Sequence, residues 1–578
     1  MSAETTSLLP KDEAAAEGKV NVQINGKWYR FPKGTRIADA CNSVGVHVPC
    51  FCYHPKLSIA GSCRMCLVEQ GMPPRLAPGA TPTYGEDGYQ PIQWMSRAVI
   101  ACANTVAENM GIRTTGALCE EARRGVLEFL LTNHPLDCPI CDQAGECKLQ
   151  EYTTDYGPSS HRFTESKVKK GKNLSVGPRV NLDQERCVLC RRCIRFMKEI
   201  VGVEALGVVG RGAHNAVACF PGMCLDSNYS MNVVDICPVG AMTSKDFRFK
   251  MRVWFLKSTP TIDVNCGTGT NIHIWTREQQ VYRITPRQND EVNSCWMPDN
   301  HRLNYKFINA PERLRTPLVK TDAGAPQRPT TWEPTLKLIA EQLRRCHASQ
   351  LAIIASARLT NEELYLTKTL ADFLHITQLD IVPRTEESDD MLISADRNPN
   401  TTGAKLILGK DGSTLPDIRR GIKTGKIRSL IVLGEDVTAE AGITWDALTK
   451  LDYLLVMDHS ETATTKAADV VLPGVTFAEK YGTMINVAGR IQRLNKAIEP
   501  IGEARADWDV LRALLQECAE DMPLRAARAT SPMEVLDDMA QQIKELEGIS
   551  WAGIGNQGKV VLETGVTIPL IEREKAKK

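Results

Sequence analysis

The chain has no long apolar run. No stretch of about 18 uninterrupted hydrophobic residues occurs among its 578, which excludes a membrane-spanning helix. It also has almost no net charge. Its 70 Lys and Arg residues face 69 Asp and Glu, a balance that gives no reason to expect nucleic acid or another polyanion as a partner. The N-terminus, MSAETTSLLPKDEAAAEGK, lacks the basic segment and apolar core of a secretory signal, and it is not Arg-rich like a transit peptide. There is no Walker A sequence and no G-x-G-x-x-G after a strand, so the usual phosphate and dinucleotide cradles are missing. No Ser/His/Asp set or carboxylate pair stands out as a hydrolytic centre, and no residue is assigned a catalytic role. Cysteine is scarce in one half only: 18 of 20 precede residue 296, and just Cys346 and Cys518 follow.

The front half carries twelve metal-binding side chains in three groups of four. The first is Cys52-x10-Cys63-x2-Cys66-x35-Cys102. A lone Cys, a C-x2-C pair and a distant fourth Cys make the order of a plant-type 2Fe–2S site, here with a longer first gap. Cys52 is taken as the ligand, with Cys50 and Cys41 as small packing residues. Gly61-Ser62 supplies flexible backbone whose N–H groups can turn towards sulfur. The second group is His134-x3-Cys138-x2-Cys141-x5-Cys147. Pro135 and Pro139 stiffen the loop, Gly145 permits a tight turn, and four donors complete a 4Fe–4S cube with imidazole replacing one thiolate. Zinc held by three Cys and one His is the competing reading. The third is Cys187-x2-Cys190-x2-Cys193-x43-Cys237, followed by Pro238. It matches half of a two-cluster bacterial ferredoxin. Met197 stands where a fourth adjacent Cys would serve the second cluster, so one 4Fe–4S cluster is expected. Cys219 and Cys224 lack ferredoxin spacing and read as structural.

The expected architecture is mixed α+β and α/β, in several domains. Residues 1–18 read as a disordered tail. Alternation over 20–24, the turn Asn25-Gly26, a return strand at 28–31 and a helix over 35–44 open a β-grasp ferredoxin-like domain, residues 19–112. A Gly/Pro/Tyr-rich surface loop fills 71–93. A His–Cys 4Fe–4S domain follows at 113–155, where a helix over 120–131 delivers the chain to His134. A ferredoxin-like 4Fe–4S domain takes 156–255. Polar residues 151–180, with Lys167, Lys169, Lys170 and Lys172, read as a solvated linker, and 194–201 as a helix. Strands at 351–355, 429–433 and 453–457 alternate with helices at 361–374 and 507–519. That order predicts a parallel-sheet α/β domain within 256–578.

The segments FCYHPKLSIAGSCRMCLVE (51–69), NHPLDCPICDQAGECKLQ (133–150), CVLCRRCIRF (187–196) and DICPVGAMTSK (235–245) resemble the G-type subunits of NADH-quinone oxidoreductase, the 75-kDa iron–sulfur subunits of respiratory complex I. ADVVLPGVTFAEKYGTMINVAGRIQ (468–492) resembles that family's molybdopterin-oxidoreductase-like domain. The resemblance implies one 2Fe–2S and two 4Fe–4S clusters on the twelve residues named. It also implies a relay of electrons from a flavin-bearing partner towards the quinone-reducing subunits. The implied neighbours are the F-type flavin-bearing subunit, its small E-type partner and the I-type cluster protein, on the cytoplasmic side of a bacterial inner membrane. Some relatives hold a fourth cluster with C-x2-C-x3-C and a distant Cys. Here Asp263, Cys266 and Thr270 occupy the three near positions and Pro298, rather than Cys295, the distant one, so no fourth cluster is expected. The C-terminal domain lacks the metal-binding Cys or selenocysteine of molybdenum enzymes, and Cys346 and Cys518 read as helix-packing residues. A scaffold without molybdopterin is expected, with Gly474 and Gly482 serving turns. The competing functions are the cluster-bearing subunit of a NAD-linked formate dehydrogenase or hydrogenase, and a zinc-bearing scaffold.

Overall fold

The computed structural model describes residues 18–79, 81–322, 325–519 and 524–576. Of the tail expected at 1–18, only Gly18 is among them. The chain divides into two compact units, Met1–Phe255 and Leu256–Lys578.

The first unit opens with strand β1 (Lys19–Ile24), a turn at Asn25-Gly26, strand β2 (Lys27–Pro32) and helix α1 (Ile37–Ser43). Asn25 and Gly26 both have positive φ, which is what a two-residue hairpin turn demands. Strands β3 (Leu67–Met72), β4 (Gln93–Trp94), β5 (Val99–Ile100) and β6 (Met110–Arg113) complete the sheet, in the order β2-β1-β6-β3-β4 with β5 also on β3. β1 and β6 run parallel, the mark of a β-grasp. Val22, Ile24, Ile37, Cys41, Val68 and Ile112 form its core under α1.

Helix α2 (Ala117–Asn133) starts earlier than its apolar face suggests and stops beside His134. Helix α3 (Lys148–Tyr156) begins straight after Cys147. The segment expected as a solvated linker is anchored instead. Lys167 Nζ donates to the carbonyls of Leu131 and Thr132, capping the end of α2. Lys170 Nζ donates to Asn215 O at 2.7 Å, and Lys172 pairs with Asp137 and the buried Glu185. Composition marked these lysines as polar. Their partners lie 35 and more residues away along the chain for Lys167 and Lys170, where sequence pattern gives no signal.

Strands β7 (Leu174–Ser175) and β8 (Val180–Leu182) precede helix α4 (Arg192–Phe196), which loosens into a π-type turn over Met197–Val201. Then come strands β9 (Leu206–Val209) and β10 (Ala216–Cys219), helix α5 (Asn232–Ile236) and strand β11 (Met242–Ser244), paired with β8.

The second unit begins with a meander of β12 (Lys257–Ile262), β13 (Asn271–Arg277) and β14 (Gln280–Pro286), followed by the short helix α6 (Asp299–Leu303). Strands β15 (Leu318–Val319) and β16 (Arg328–Pro329) lead to helix α7 (Trp332–Arg345). Then β17 (Leu351–Ala355), α8 (Asn361–Phe373), β18 (Gln378–Ile381), β19 (Ser429–Leu433), β20 (Tyr453–Asp458) and β21 (Val470–Pro473) build a sheet of order β16-β15-β21-β20-β19-β17-β18. The strands from β17 to β21 pair parallel. Every residue of β17, β19 and β20 is buried, as a sheet covered on both faces requires. Leu351, Ile353 and Ala355 join one core while Ala352 and Ile354 join the other, the period-2 alternation of a strand between two layers. Strands β22 (Gly482–Ile485) and β23 (Arg490–Leu494) and helix α9 (Asp507–Cys518) follow. Gly482 does not serve a turn. It starts β22, where an added Cβ would lie 2.5 Å from Thr360 Cγ2. Gly474 is likewise a close-approach glycine, its added Cβ 2.5 Å from Asp507 Oδ1. Cys518 ends α9 in the core, and Cys346 caps α7 with its Sγ 3.3 Å from Ser429 Oγ.

Candidate metal centres

The loop after α1 and the hairpin β3–β5 bring Cys52, Cys63, Cys66 and Cys102 together. Val68 pairs with Val99 and Leu67 with Ile100, and Ala101 N–H donates to Cys66 O at 3.0 Å, which sets Cys102 just past the residue opposite Cys66. Cys66 Sγ donates to Cys102 Sγ at 3.4 Å, and Phe51 N–H points at Cys63 Sγ at 3.5 Å. Arg64 and Gly61 both have φ of +59°, the backbone that curls the loop round its sulfurs. Side-chain hydrogen bonds from Cys102 and Cys63, assisted by the N–H groups of Cys63 and Ser62, hold the Cys52 thiol well below the usual range. Cys102 draws Cys66 down to about 7. The same hydrogen bonds push Cys63 and Cys102 up, so in the absence of metal the four thiols share their protons, which must leave for a cluster to bind. Cys50 faces elsewhere. Its Sγ lies 3.9 Å from Tyr53 O, and burial pushes it up to about 11. Cys41 sits buried inside α1, pushed up to about 12.

His134, Cys138, Cys141 and Cys147 line one cavity of about 270 Å³. The end of α2 sets His134, and a short helical turn over Cys138–Ile140 sets the next donor. Gly145, at φ +90°, swings the chain back to Cys147. Burial, with Arg186 and Lys167 nearby, lowers His134 to about 4, so its imidazole is neutral and has a lone pair to give. Arg186 also lines the cavity and is held by Asp137 at 3.1 Å. The opposite wall is Gly240. A Cβ there would lie 2.1 Å from Cys141 Sγ, so only glycine lets this backbone approach the sulfur. Gly240→Ala is therefore expected to lose the group held at this cavity, about four iron atoms per chain, with the other two centres retained. Iron analysis and electron paramagnetic resonance check it.

Cys187, Cys190, Cys193 and Cys237 line a third enclosed space with Val239, Ala241 and Met242. Leu189 and Arg191 adopt left-handed backbone, φ +52° and +59°, which winds the loop so that all three near thiols face inward. Cys237 ends α5 and receives the N–H groups of Met242, Val239 and Ala241. Burial pushes Cys187 up to about 12 and Cys190 up to about 11. Protons on these thiols must leave for a metal cluster to bind. Met197 is buried behind the loop. Cys224 is exposed, and Cys219 on β10 directs its Sγ to Val176 O at 3.6 Å.

Sequence reasoning missed the arginines. Arg195 Nη2 donates to Cys52 O at 2.5 Å and lies 3.5 Å from Cys190 O. Arg192 donates to Ile236 O at 3.1 Å and also to Tyr53 O. Glu199 accepts from both N–H and Oγ of Ser58. The first and third centres are thus clasped by one helix. The second abuts the third, because Gly240 faces Cys141 while Val239 and Ala241 face Cys237. The only sequence cue was Arg191-Arg192 and Arg195 set among the cysteines. Their partners, more than 130 residues back, left no local mark.

Family models match in the same places. Residues 17–117 match a 2Fe–2S iron–sulfur cluster binding domain, and 123–162 the NADH-ubiquinone oxidoreductase-G iron–sulfur binding region. Residues 177–243 match the ferredoxin-like domain of NADH-quinone oxidoreductase subunit 3, and 256–306 an NDSU1/NuoG-like 4Fe–4S domain. Residues 394–517 match molybdopterin oxidoreductase. The 75 kDa subunit of NADH-ubiquinone oxidoreductase in Reclinomonas americana is 31% identical, over 87% of this chain and 89% of its own. The chain belongs to this family. The G-type subunit of NADH-quinone oxidoreductase in Rickettsia felis is 30% identical over 86% of the chain and 87% of its own, and a Neurospora crassa 78 kDa subunit 30% over 88% and 82%. A crystal structure of a NAD+-reducing [NiFe]-hydrogenase shares 25% identity, covering 40% of this chain and 91% of that one, at a TM-score of 0.33. As a member of the 75 kDa family, the chain is an iron–sulfur electron-transfer subunit of respiratory complex I, with 2Fe–2S and 4Fe–4S domains and other subunits of that complex as partners. No described helix is long and apolar enough to cross a membrane.

Two groups implied by these matches do not fit the residues present. Between 256 and 306 the only cysteines are Cys266 and Cys295, too few thiols for a fourth cube. A cavity of about 420 Å³ at the carboxyl ends of β17, β19 and β20 is the place where an open α/β sheet takes a ligand. Its walls carry Glu435, Asp436, Glu440, Asp458 and Asp507 against Arg358, Arg384 and Lys480. Arg384 is already paired with Glu435, and Lys480 with Glu363 and Asp507. A site with an excess of carboxylates does not fit the phosphates of a pterin dinucleotide.

Proposed function

We propose that the twelve residues Cys52, Cys63, Cys66 and Cys102, His134, Cys138, Cys141 and Cys147, and Cys187, Cys190, Cys193 and Cys237 hold one 2Fe–2S and two 4Fe–4S clusters, and no fourth. Bound there, the clusters supply one-electron carriers. The protein fixes their order, and that order differs from the order along the chain. The observation that carries this reading is the position of the third site between the other two: Arg195 joins the Cys52 and Cys190 carbonyls, while Gly240 and its neighbours Val239 and Ala241 separate the third site from the second. The relay then runs from the 2Fe–2S site to the third site and on to the His–Cys site.

Arg186, Arg192 and Arg195 place positive charge beside the thiolates and lessen the cost of gathering anionic ligands. Phe129 on α2 and Leu136 and Ile140 in the loop that carries His134, Cys138 and Cys141 are exposed, Leu136 to 90%. Large apolar side chains left in solvent mark a surface made for another protein. This supports exit towards the I-type cluster protein, with entry from the F-type flavin-bearing subunit and its E-type partner at the 2Fe–2S end. The C-terminal unit, whose sheet-end cavity repels phosphate, serves as scaffold without molybdopterin. The location proposed is peripheral, on the cytoplasmic face of a bacterial inner membrane.

Iron and acid-labile sulfide analysis of the chain tests the cluster count. About ten iron atoms are expected from one 2Fe–2S and two 4Fe–4S clusters. Markedly more iron would reinstate a fourth cluster. Stoichiometric zinc with no sulfide at the His–Cys cavity would remove the second.

A further inference from the structure

Asp263, Cys266 and His301 form the one group of metal-ligating side chains among the described residues outside the three centres that converges closely. One donor atom from each lies within 4.8 Å of the others, and all three residues are buried. Asp263 follows β12, Cys266 lies in the turn before β13, and His301 comes from α6. His301 Nδ1 stands 2.7 Å from Asp263 Oδ2.

The turn is fixed on every side. Asp263 N–H donates to Thr270 O at 2.8 Å, closing it across its mouth. Gly267 N–H donates to Asp396 O and its carbonyl accepts from Val487 N–H, both at 2.8 Å. Thr268 Oγ1 donates to Leu392 O at 2.6 Å. Such a rigid frame holds side chains in place for a ligand. The hydroxyl of Thr270 is buried and has no hydrogen-bond partner among the described residues. His301 also lines a cavity of about 740 Å³ with Asn265, Asn300 and Asn304, which gives a polar route from solvent.

The donor set selects the ion. One sulfur, one imidazole nitrogen and one carboxylate oxygen suit zinc, whereas magnesium and calcium prefer oxygen alone. The charges also balance. A carboxylate and a thiolate offset a divalent cation, so burial leaves no net charge to desolvate. Tetrahedral zinc, with bonds of roughly 2.0 Å to N and O and 2.3 Å to S, asks for donors about 3.5 Å apart.

We propose that Asp263, Cys266 and His301 bind a single zinc ion, with water from the adjoining cavity as fourth ligand. The ion takes the place of the Cys266 thiol proton, which passes to solvent. It also takes the place of the proton shared by His301 Nδ1 and Asp263 Oδ2, which moves to His301 Nε2 as the neutral imidazole changes tautomer. It pins the β12–β13 turn to α6. This goes beyond the cluster assignment and stands or falls separately from it, since iron reports the clusters and zinc reports this site.

The test uses the full chain purified with its clusters. Zinc and iron are measured by plasma mass spectrometry, before and after incubation with zinc sulfate and gel filtration. One zinc per chain is expected, with sulfur and nitrogen or oxygen neighbours in its X-ray absorption spectrum. Cys266→Ser and Asp263→Asn should each lose the zinc and keep the iron. Wild-type chain without stoichiometric zinc after loading overturns the proposal. So does a mononuclear iron in its place, or variants that keep their zinc. If one variant fails to fold, the wild-type stoichiometry and the other variant still decide.

Discussion

Cys190→Ala is expected to stop electron flow from NADH to quinone in the assembled complex, down to background. Cys190 is buried in the third site, and Ala offers no donor. About four iron atoms should be lost, those of the 4Fe–4S cluster proposed for this site. Because the third site lies between the other two, the effect should be directional. NADH should still reduce the 2Fe–2S site, seen by electron paramagnetic resonance, while the His–Cys site stays oxidised. Quinone reduction that persists in assembled complex lacking the third signal would sink the proposed order. Arg195→Gln separates assembly from transfer. It leaves all twelve donors in place but removes the contacts to the Cys52 and Cys190 carbonyls. Full iron with slowed quinone reduction is the expected result.

Lys480→Met should destabilise the C-terminal unit by about 3–5 kcal/mol, the usual effect of stripping one partner from a buried ion pair. Lys480 Nζ lies 2.8 Å from Glu363 and 2.7 Å from Asp507, and all three side chains are nearly inaccessible. Removing the ammonium leaves two buried carboxylates facing each other. Glu363 also closes the capping box of α8 with Thr360, so the strain reaches the start of a core helix. Denaturant titration of the full chain, followed by a C-terminal tryptophan such as Trp332, checks it. Adding Glu363→Gln and Asp507→Asn should recover most of the loss. Burial alone would lower the Lys480 ammonium, but the two carboxylates outweigh it and hold it above the ordinary lysine value of 10.5. A raised lysine contributes stability fully below that ordinary value and loses it as pH climbs through the folded one. The contribution should therefore be flat through neutral pH and fail only in strong alkali.

Some elements were plain in the sequence because their cause is local. β17 occupies Leu351–Ala355 as its run of apolar residues implies, and β19 and α9 follow from equally short patterns. The ferredoxin loop is also local. Three thiols spaced by two residues leave the chain few ways to wind, and left-handed Leu189 and Arg191 complete it. Elsewhere the pattern misled. The lysines of 167–172 look like a solvated run, yet they cap α2 and pair with Glu185. Gly482 looks like a turn residue, yet it gives way to Thr360 inside a strand. In both cases the partner is distant in sequence, and residue type alone does not report it.

The sequence by itself determined which side chains can hold metal, in three groups of four, and that α/β alternation follows them. Donor chemistry and short spacing carry that information directly. Tertiary structure alone decided which centre touches which. Arg195 reaches Cys52 across 143 residues, and Gly240 meets Cys141 by having no side chain. It alone brought His301 to Asp263 and Cys266. Proximity between distant residues is settled by packing and by how closely two backbones can approach, and a one-dimensional spacing rule contains neither.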